Sequence, residues 1–262
     1  MSSDSLAGLK VLVTRPQAQQ QALCDAIEAA GGLAVKLPLL AISPLTAAAE
    51  TQDLRTRIQN LDHYQLLIFV SSNAANYGAE WINTYWPQFP SAIEVIAVGP
   101  TTAGLVTDLL GCAVTKSAAG MTSEDLLALP ALRDVNGKRI GILRGRGGRE
   151  LLAESLRAKG AEVDYLEVYR RSPVRYTSDE INQLLRAASL DVLSITSGES
   201  LLQLLAILGD NKAEMSLLPL LVPSLRVAEQ AQQAGFNSVI NANGADASSF
   251  IAALQSLADK TQ

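Results

Sequence analysis

Residues 10–40 read KVLVTRPQAQQQALCDAIEAAGGLAVKLPLL, and residues 138–168 read KRIGILRGRGGRELLAESLRAKGAEVDYLEV. Each is a short apolar run, a polar or glycine-rich loop, an amphipathic segment, a glycine and a second extended run. In both, 22 positions separate the leading lysine from the closing glycine, Lys10 to Gly32 and Lys138 to Gly160. Apolar residues at Leu23, Ile27 and Ala30, and again at Leu151, Leu152 and Leu156, follow helical spacing. A glycine just past the last turn is a helix stop. The unit is strand–helix–strand, a crossover that sets its two strands parallel, and the chain carries two copies.

The repeat continues outward from these stretches. LLIFVSSNAANYGAEWI (66–82) matches VLSITSGESLLQLLAIL (192–208), each a buried strand opening into hydroxyl, amide or glycine residues and then a helix. IEVIAVGPTTAGLVTDLLGC (93–112) matches LPLLVPSLRVAEQAQQAGF (218–236), and AAGMTSEDLLALPAL (118–132) matches ANGADASSFIAALQSL (242–257). Ser123-x-Asp125 and Asp246-x-Ser248 read as capped helix starts. Short apolar strands alternating with helices, in duplicate, predict α/β architecture: two doubly wound parallel-sheet domains of flavodoxin or Rossmann type. A tandem division would cut at the Asn136-Gly137 turn. The proline-punctuated segments KLPLLAISPL (36–45) and VYRRSPVRY (168–176) suggest instead two paired linkers, with each first unit joining the other copy's remainder. Both divisions are open at this point.

Rare residues exclude several chemistries. One histidine, His63, and two separated cysteines, Cys24 and Cys112, cannot supply a zinc set at ligand spacing. Cys24 falls inside a helical pattern and reads as a small buried hydrophobe; His63 reads as an exposed turn residue. The N-terminal MSSDSLAGLK shows no secretory leader, and no uncharged apolar run reaches the roughly 18 residues of a membrane span. A cytoplasmic protein without membrane association is expected. A net charge of −5 argues against a general nucleic-acid binder. The charge is uneven, however. Residues 133–175 carry 11 of the 21 basic side chains against six acids, a local +5 in an otherwise −10 chain.

In open α/β sheets, ligands sit beyond the carboxyl ends of the strands, where helix N-termini point their N–H groups outward. Those ends here carry Thr14-Arg15-Pro16, Ser71-Ser72-Asn73, Gly99-Pro100-Thr101-Thr102, Arg144-Gly145-Arg146-Gly147-Gly148-Arg149, Thr196-Ser197-Gly198 and Pro223-Ser224-Leu225-Arg226. Each set is rich in hydroxyl, glycine or arginine and lacks a carboxylate, a chemistry suited to carboxylates or phosphates. Residues 144–149 match neither a dinucleotide fingerprint, since position 150 is Glu, nor a P-loop, since no Gly-Lys-Ser/Thr follows. Ser197 lies in T-S-G-E-S, not G-x-S-x-G, and the sole histidine is in another unit, which excludes a Ser-His hydrolase. Tyr169, flanked by Arg170 and Arg171, is the best proton donor left. Guanidinium neighbours make a phenol more acidic.

Seven motifs in order carry a resemblance: V-T-R-P (13–16), F-V-S-S-N-A (69–74), A-V-G-P-T-T-A (97–103), L-R-G-x-G-G-R-E (143–150), G-A-x-V…V-Y-R-R (160–171), I-T-S-G-E-S-L (195–201) and P-S-x-R-V-A (223–228). Across roughly residues 9–257 the chain resembles the uroporphyrinogen-III synthase family of tetrapyrrole biosynthesis in its bacterial form. The resemblance implies two α/β domains joined by a two-stranded linker. Domain 1 would comprise residues 1–37 and 173–262, and domain 2 residues 38–172, with linkers near 36–45 and 168–176. It implies a lyase that cyclises hydroxymethylbilane to uroporphyrinogen III, inverting ring D and losing water, without metal or organic cofactor. Tyr169 matches the family's candidate proton donor. The eight carboxylates of the substrate would meet Thr14, Arg15, Ser71, Ser72, Asn73, Gly99, Pro100, Thr101, Thr102, Arg144, Gly145, Arg149, Thr196, Ser197, Gly198, Pro223, Ser224 and Arg226 in a cleft between the domains. A monomer in transient contact with the upstream bilane-forming enzyme is expected. The competing class is a non-catalytic two-domain module that binds or senses small anions.

Overall fold

The structure, a computed structural model, describes residues 5–116, 123–148 and 150–261. The first half runs β1 (Lys10–Val13), α1 (Gln21–Ala29), β2 (Leu33–Lys36), β3 (Leu40–Pro44), α2 (Ala48–Gln59), β4 (Leu66–Phe69), α3 (Ser72–Tyr85), β5 (Glu94–Ala97), α4 (Pro100–Leu110), β6 (Thr115–Lys116) and α5 (Ser123–Leu127). The second runs β7 (Arg139–Gly145), α6 (Leu151–Ala158), β8 (Glu162–Pro173), α7 (Ser178–Ala188), β9 (Val192–Ser194), α8 (Gly198–Leu208), α9 (Lys212–Met215), β10 (Leu220–Val222), α10 (Leu225–Gln233), β11 (Val239–Asn241) and α11 (Ala247–Thr261).

These elements form an α/β fold with two sheets, ordered β11-β10-β9-β1-β2 and β3-β8-β7-β4-β5-β6. In the first, β1 is parallel to both β2 and β9, and β10 to both β9 and β11. In the second, β4 is parallel to β5 and β7, β5 to β6, and β7 to β8. The two copies interleave: β1 and β2 are completed by β9–β11, and β7 and β8 by β4–β6. Contacts divide the chain into unit 1, residues 1–41 with 172–262, and unit 2, residues 42–171.

Both sheets are covered on each face, and the period-two alternation of strand side chains feeds two cores per unit. In unit 1, Leu12, Leu193, Leu220 and Val222 face one core and Val11, Val13, Val192 and Leu221 the other. In unit 2, Leu67, Phe69 and Leu143 oppose Leu66, Ile68, Ile140 and Ile142. Each such buried apolar side chain contributes about 1.5–3 kcal/mol. The helices lay matching stripes on these faces: Leu23, Cys24 and Ile27 of α1, and Leu152, Ala153 and Leu156 of α6, are buried.

Strand register corrects the repeat by one residue. Lys10 pairs with Leu33 and Arg139 with Glu162, so equivalent positions lie 129 apart, where the leading lysines differ by 128. The helix-ending glycine of the first copy is accordingly Gly31, not Gly32: Gly31 (φ 85°) and Gly160 (φ 86°) both take the left-handed conformation that glycine adopts without strain. Gly8 N–H donates to Gly31 O at 3.0 Å, and Gly137 N–H to Gly160 O at 2.9 Å. Arg15 is therefore the structural twin of Arg144. Since Val11 pairs with Val192 and Leu66 with Ile140, Ser71 is likewise the twin of Ser197.

Candidate functional site

In unit 2 the chain runs outward from the sheet centre in both directions, β7 to β8 on one side and β4 to β5 on the other. Such a switch point leaves a crevice between the two outgoing helices. Here it holds a cavity of about 210 Å³, walled by Val70 and Ser71 after β4, Arg144 and Gly145 at the end of β7, and Tyr165, Tyr169 and Arg171 from β8. Four of the sequence-predicted residues thus meet: Ser71, Arg144, Gly145 and Tyr169.

Tyr169 reaches the cavity through a backbone irregularity. The β7–β8 register is regular to Arg144↔Glu167 and resumes at Gly145↔Tyr169, leaving Val168 as an extra residue. A one-residue slip moves a side chain to the other face of a sheet, and bulges often re-aim residues at functional sites. The tyrosine is 2% exposed, and its ring stacks on Tyr77 of α3 at 5.7 Å between centroids. Its hydroxyl lies 3.3 Å from Ser71 Oγ. The space under the ring exists because residue 145 is glycine: a Cβ there would fall 2.5 Å from Tyr169 Cε2 and 2.6 Å from Cζ.

Arg144, 7% exposed, lies with its guanidinium 4.4 Å over the Tyr165 ring and donates from Nε to Gly145 O at 3.2 Å and from Nη2 to Gly147 O. The loop it folds back on is held by a carboxylate of β8 that the strand-end reading did not anticipate. Glu167 accepts from Gly147 N–H at 3.2 Å and from Arg146 Nε at 3.3 Å, while Arg146 Nη1 reaches Glu50 of α2 at 2.6 Å. Arg146 is thus matched by two acids, and part of the local positive charge is neutralised within unit 2. Of the two arginines expected to flank Tyr169, Arg171 shares its cavity, whereas Arg170 turns to Ser43 Oγ (3.3 Å) and Glu50 (3.8 Å).

The other predicted residues of unit 2 that the structure describes do not line this cavity. Ser72 and Asn73 open α3 and are partly exposed; Gly99 precedes α4 with φ 80°, followed by exposed Pro100 and Thr101. Thr102 is 4% exposed. Arg149 lies outside the described residues.

The remaining residues occupy the corresponding switch point of unit 1, between β1 and β9. Thr14 is buried and donates to Ser194 O at 2.6 Å across the sheet, a bond that ties the strands together. Arg15 donates to Ala245 O at 2.6 Å and lies 5.4 Å over Phe250; burial lowers its pKa, partly offset by Asp246. Thr196, Ser197 and Gly198 are partly exposed, and Ser197 caps α8 by accepting from Ser200 N–H at 3.0 Å. Pro223 and Ser224 are partly exposed ahead of α10, whose Arg226 is exposed. A Cβ on Gly198 would meet Gln230 Oε1 at 2.7 Å and Arg226 Nη1 at 3.7 Å, so these side chains converge on the α8 N-terminus.

Tyr77, Tyr165, Glu50 and Glu167 were missed by sequence reasoning. Tyr165 packs against one core of unit 2 while Leu166, Val168 and Tyr169 belong to the other, so the Y-L-E-V-Y alternation at 165–169 does not by itself group these side chains. Cys24 is buried and Cys112 partly buried, burial raising both thiol pKa values. His63 sits exposed in a 3-10 turn before β4. Among the described residues no His/Cys/Asp/Glu group could hold a metal ion, and no helix is long and apolar enough to cross a membrane.

A family model described as uroporphyrinogen-III synthase HemD matches residues 21–252. The uroporphyrinogen-III synthase of Escherichia coli is 32% identical over 252 residues, covering 94% of this chain and 100% of that protein. The Salmonella typhimurium uroporphyrinogen-III synthase is 33% identical over 249 residues, with the same coverage. Among solved structures, a mutant uroporphyrinogen III synthase of Thermus thermophilus superposes with a TM-score of 0.65 at 16% identity, covering 97% of this chain and 100% of that one. The Helicobacter pylori uroporphyrinogen-III synthetase gives 0.56 at 16%, again with 97% and 100% coverage. These two likenesses show the shared fold; family rests on the model match and the two closer sequences. By that measure the chain belongs to the uroporphyrinogen-III synthase family.

Proposed function

We propose that this chain cyclises hydroxymethylbilane to uroporphyrinogen III, with Tyr169 donating the proton that lets the hydroxymethyl oxygen leave as water. The observation that carries the residue assignment is the placement of Tyr169: a phenol 2% exposed, at the wall of the cavity at the switch point of unit 2, beside Ser71 and Arg144. Family membership supports the reaction.

The chemistry asks little acid–base power of the protein. The nitrogen lone pair of ring A expels the hydroxymethyl oxygen, and Tyr169 Oη–H delivers the proton that makes the leaving group water. The resulting azafulvenium is attacked by ring D through its substituted carbon. The spiro intermediate opens and recloses at the unsubstituted carbon, which loses a proton and so restores the phenol. The push comes from the substrate's own lone pair, so the route needs no cofactor. What the protein must supply is orientation: holding the chain so that spiro formation outruns direct closure. A volume of about 210 Å³ is below the ~300–1,000 Å³ of pockets for drug-sized ligands. It suits one pyrrole ring or its acid side chains, not the whole tetrapyrrole. Hydroxyl, backbone N–H and guanidinium groups at Ser72, Asn73, Gly99 and Arg144, and at Thr196, Ser197, Gly198 and Arg226 in unit 1, match carboxylates. A cytoplasmic location accords with that substrate, which another enzyme of the same synthesis makes.

Incubation with hydroxymethylbilane, oxidation and separation of type I and III porphyrins tests the reaction; type I product alone rejects it. Tyr169→Phe tests the donor. The ring still fills its place against Tyr77, so binding is retained, while kcat falls by about 10²-fold or more, the scale of a lost general acid. Unchanged kcat removes Tyr169 from the reaction.

A further inference from the structure

Ser71 does two things at once. As N-cap of α3 it takes extended backbone (φ −169°, ψ 164°), and its Oγ accepts from Ala74 N–H at 3.1 Å. The same oxygen lies 3.3 Å from Tyr169 Oη, the hydrogen-bond partner the structure gives that phenol. Its twin, Ser197, makes the matching cap on α8, but the second contact of Ser197 is Ser200 Oγ at 2.9 Å. Capping accounts for a serine at both positions. The contact with a buried tyrosine belongs to unit 2 alone among the described residues.

We infer that Ser71 is a positioning residue for the proton transfer: its hydroxyl donates to Tyr169 Oη and holds the phenolate that forms when the phenol's proton passes to the departing oxygen. The inference rests on the reading of Tyr169 as proton donor. Three physical points carry it. First, a phenolate only accepts hydrogen bonds, so the partner at 3.3 Å must donate once the proton has left; with its oxygen already accepting from Ala74 N–H, the hydroxyl hydrogen is available for that bond. Second, 3.3 Å is long for O–H···O, whereas a bond to a charged oxygen contracts to about 2.5–2.7 Å and roughly doubles in strength. The contact is weak before reaction and strong at the transition state, which is the difference that raises kcat. Third, Ser71 hangs on the first turn of a 14-residue helix, whose N-terminal partial positive charge of about half a unit favours a developing anion nearby. The accepted Ala74 N–H also polarises the hydroxyl it binds. No electron transfer is involved. One O–H bond breaks in Tyr169, one forms on the leaving water, and the phenolate is reprotonated when ring D recloses.

The test separates capping from proton transfer. Glycine is nearly as good an N-cap as serine, so Ser71→Gly keeps α3 while removing the hydroxyl. We expect kcat to fall about tenfold or more, less than the ~10²–10³-fold of a dedicated oxyanion donor, with KM within about twofold of wild type. The alkaline limb of the kcat profile should move to higher pH, because the phenolate has lost its donor. Ser71→Thr restores both rate and profile. Ser71→Ala, which loses the cap as well, shows the same kcat loss as Ser71→Gly. Adding Ser71→Gly to Tyr169→Phe costs nothing further. Wild-type kcat and pH profile in Ser71→Gly, with Tyr169→Phe impaired, overturns the role of Ser71 alone, as does a further loss in the double variant. An unimpaired Tyr169→Phe overturns the proton-donor reading itself.

Discussion

Replacing Gly145 with alanine adds one methyl group at the most constrained point of the cavity. The new Cβ would lie 2.5 Å from Tyr169 Cε2, 2.6 Å from Cζ and 3.0 Å from Oη, where ordinary contact begins at 3.4 Å. The ring must therefore give way by about 0.9 Å. It has little room to do so: it is 2% exposed and stacked on Tyr77, and its own carbonyl accepts from Arg146 N–H at 2.8 Å. Gly145 does not lie at positive φ, so the backbone accepts alanine and the whole effect is steric. Overpacking of this kind costs about 1–3 kcal/mol. A displacement near 1 Å of a group that must meet its substrate costs on the order of 100-fold in rate. Urea unfolding reads the first quantity and kcat with hydroxymethylbilane the second. The clash is with the Tyr169 ring, so Gly145→Ala should cost almost nothing in stability when Tyr169 is already alanine, a coupling a double-mutant cycle detects. A Gly145→Ala protein as stable and as fast as wild type would refute the steric argument; an equal stability loss in both backgrounds would move the clash elsewhere.

Two further predictions concern the framework. Asp164 of β8 accepts from Tyr64 Oη (2.8 Å) and Arg139 Nε (2.9 Å) and pairs with Arg57 of α2. Burial alone would raise its pKa, but these three partners outweigh burial and hold it below its ordinary value, while burial and the bond to Asp164 push Tyr64 up to about 12. A depressed carboxylate stabilises above its unfolded pKa of about 3.9 and loses that contribution as pH falls through the folded value. Asp164→Asn should thus cost about 1–3 kcal/mol in urea titrations at pH 6, a difference that shrinks below about pH 4; the same difference at pH 3 would exclude the carboxylate as its source. Gly104, mid-way along α4, has no atom within 4 Å of a built Cβ and ordinary φ. Gly104→Ala should raise stability by about 0.5–1 kcal/mol with kcat unchanged, and a lower unfolding midpoint would contradict this.

The α/β class was legible because both units bury their strands on two faces and close their helices with glycine, features written in short apolar runs and Gly punctuation. What the residues do not encode locally is register. The lysine-to-lysine match equates Arg15 with Leu143, whereas the sheet equates it with Arg144, because the helix-ending glycine is Gly31. The Val168 bulge is likewise invisible in sequence; without it Gly145 would face Val168, and the phenol would leave the cavity. Ser71, Arg144, Gly145 and Tyr169 could be singled out from strand-end position and residue type. Their partners Tyr77, Glu50 and Glu167 could not, since Tyr77 meets Tyr169, and Glu50 and Glu167 meet the loop, only through tertiary packing.

The interleaving of the two copies also sets the order in which the chain can acquire structure. Unit 2 is one continuous stretch, residues 42–171. In unit 1, by contrast, β1 finds its central neighbour only when Val11 pairs with Val192. At about 5–20 residues per second of synthesis, the first strand made waits on the order of 10–40 s for that partner. Two short parallel strands and one helix do not stand alone. The N-terminal segment therefore remains without a sheet while the unit bearing Tyr169 closes behind it, and the strand translated first is among the last to be buried.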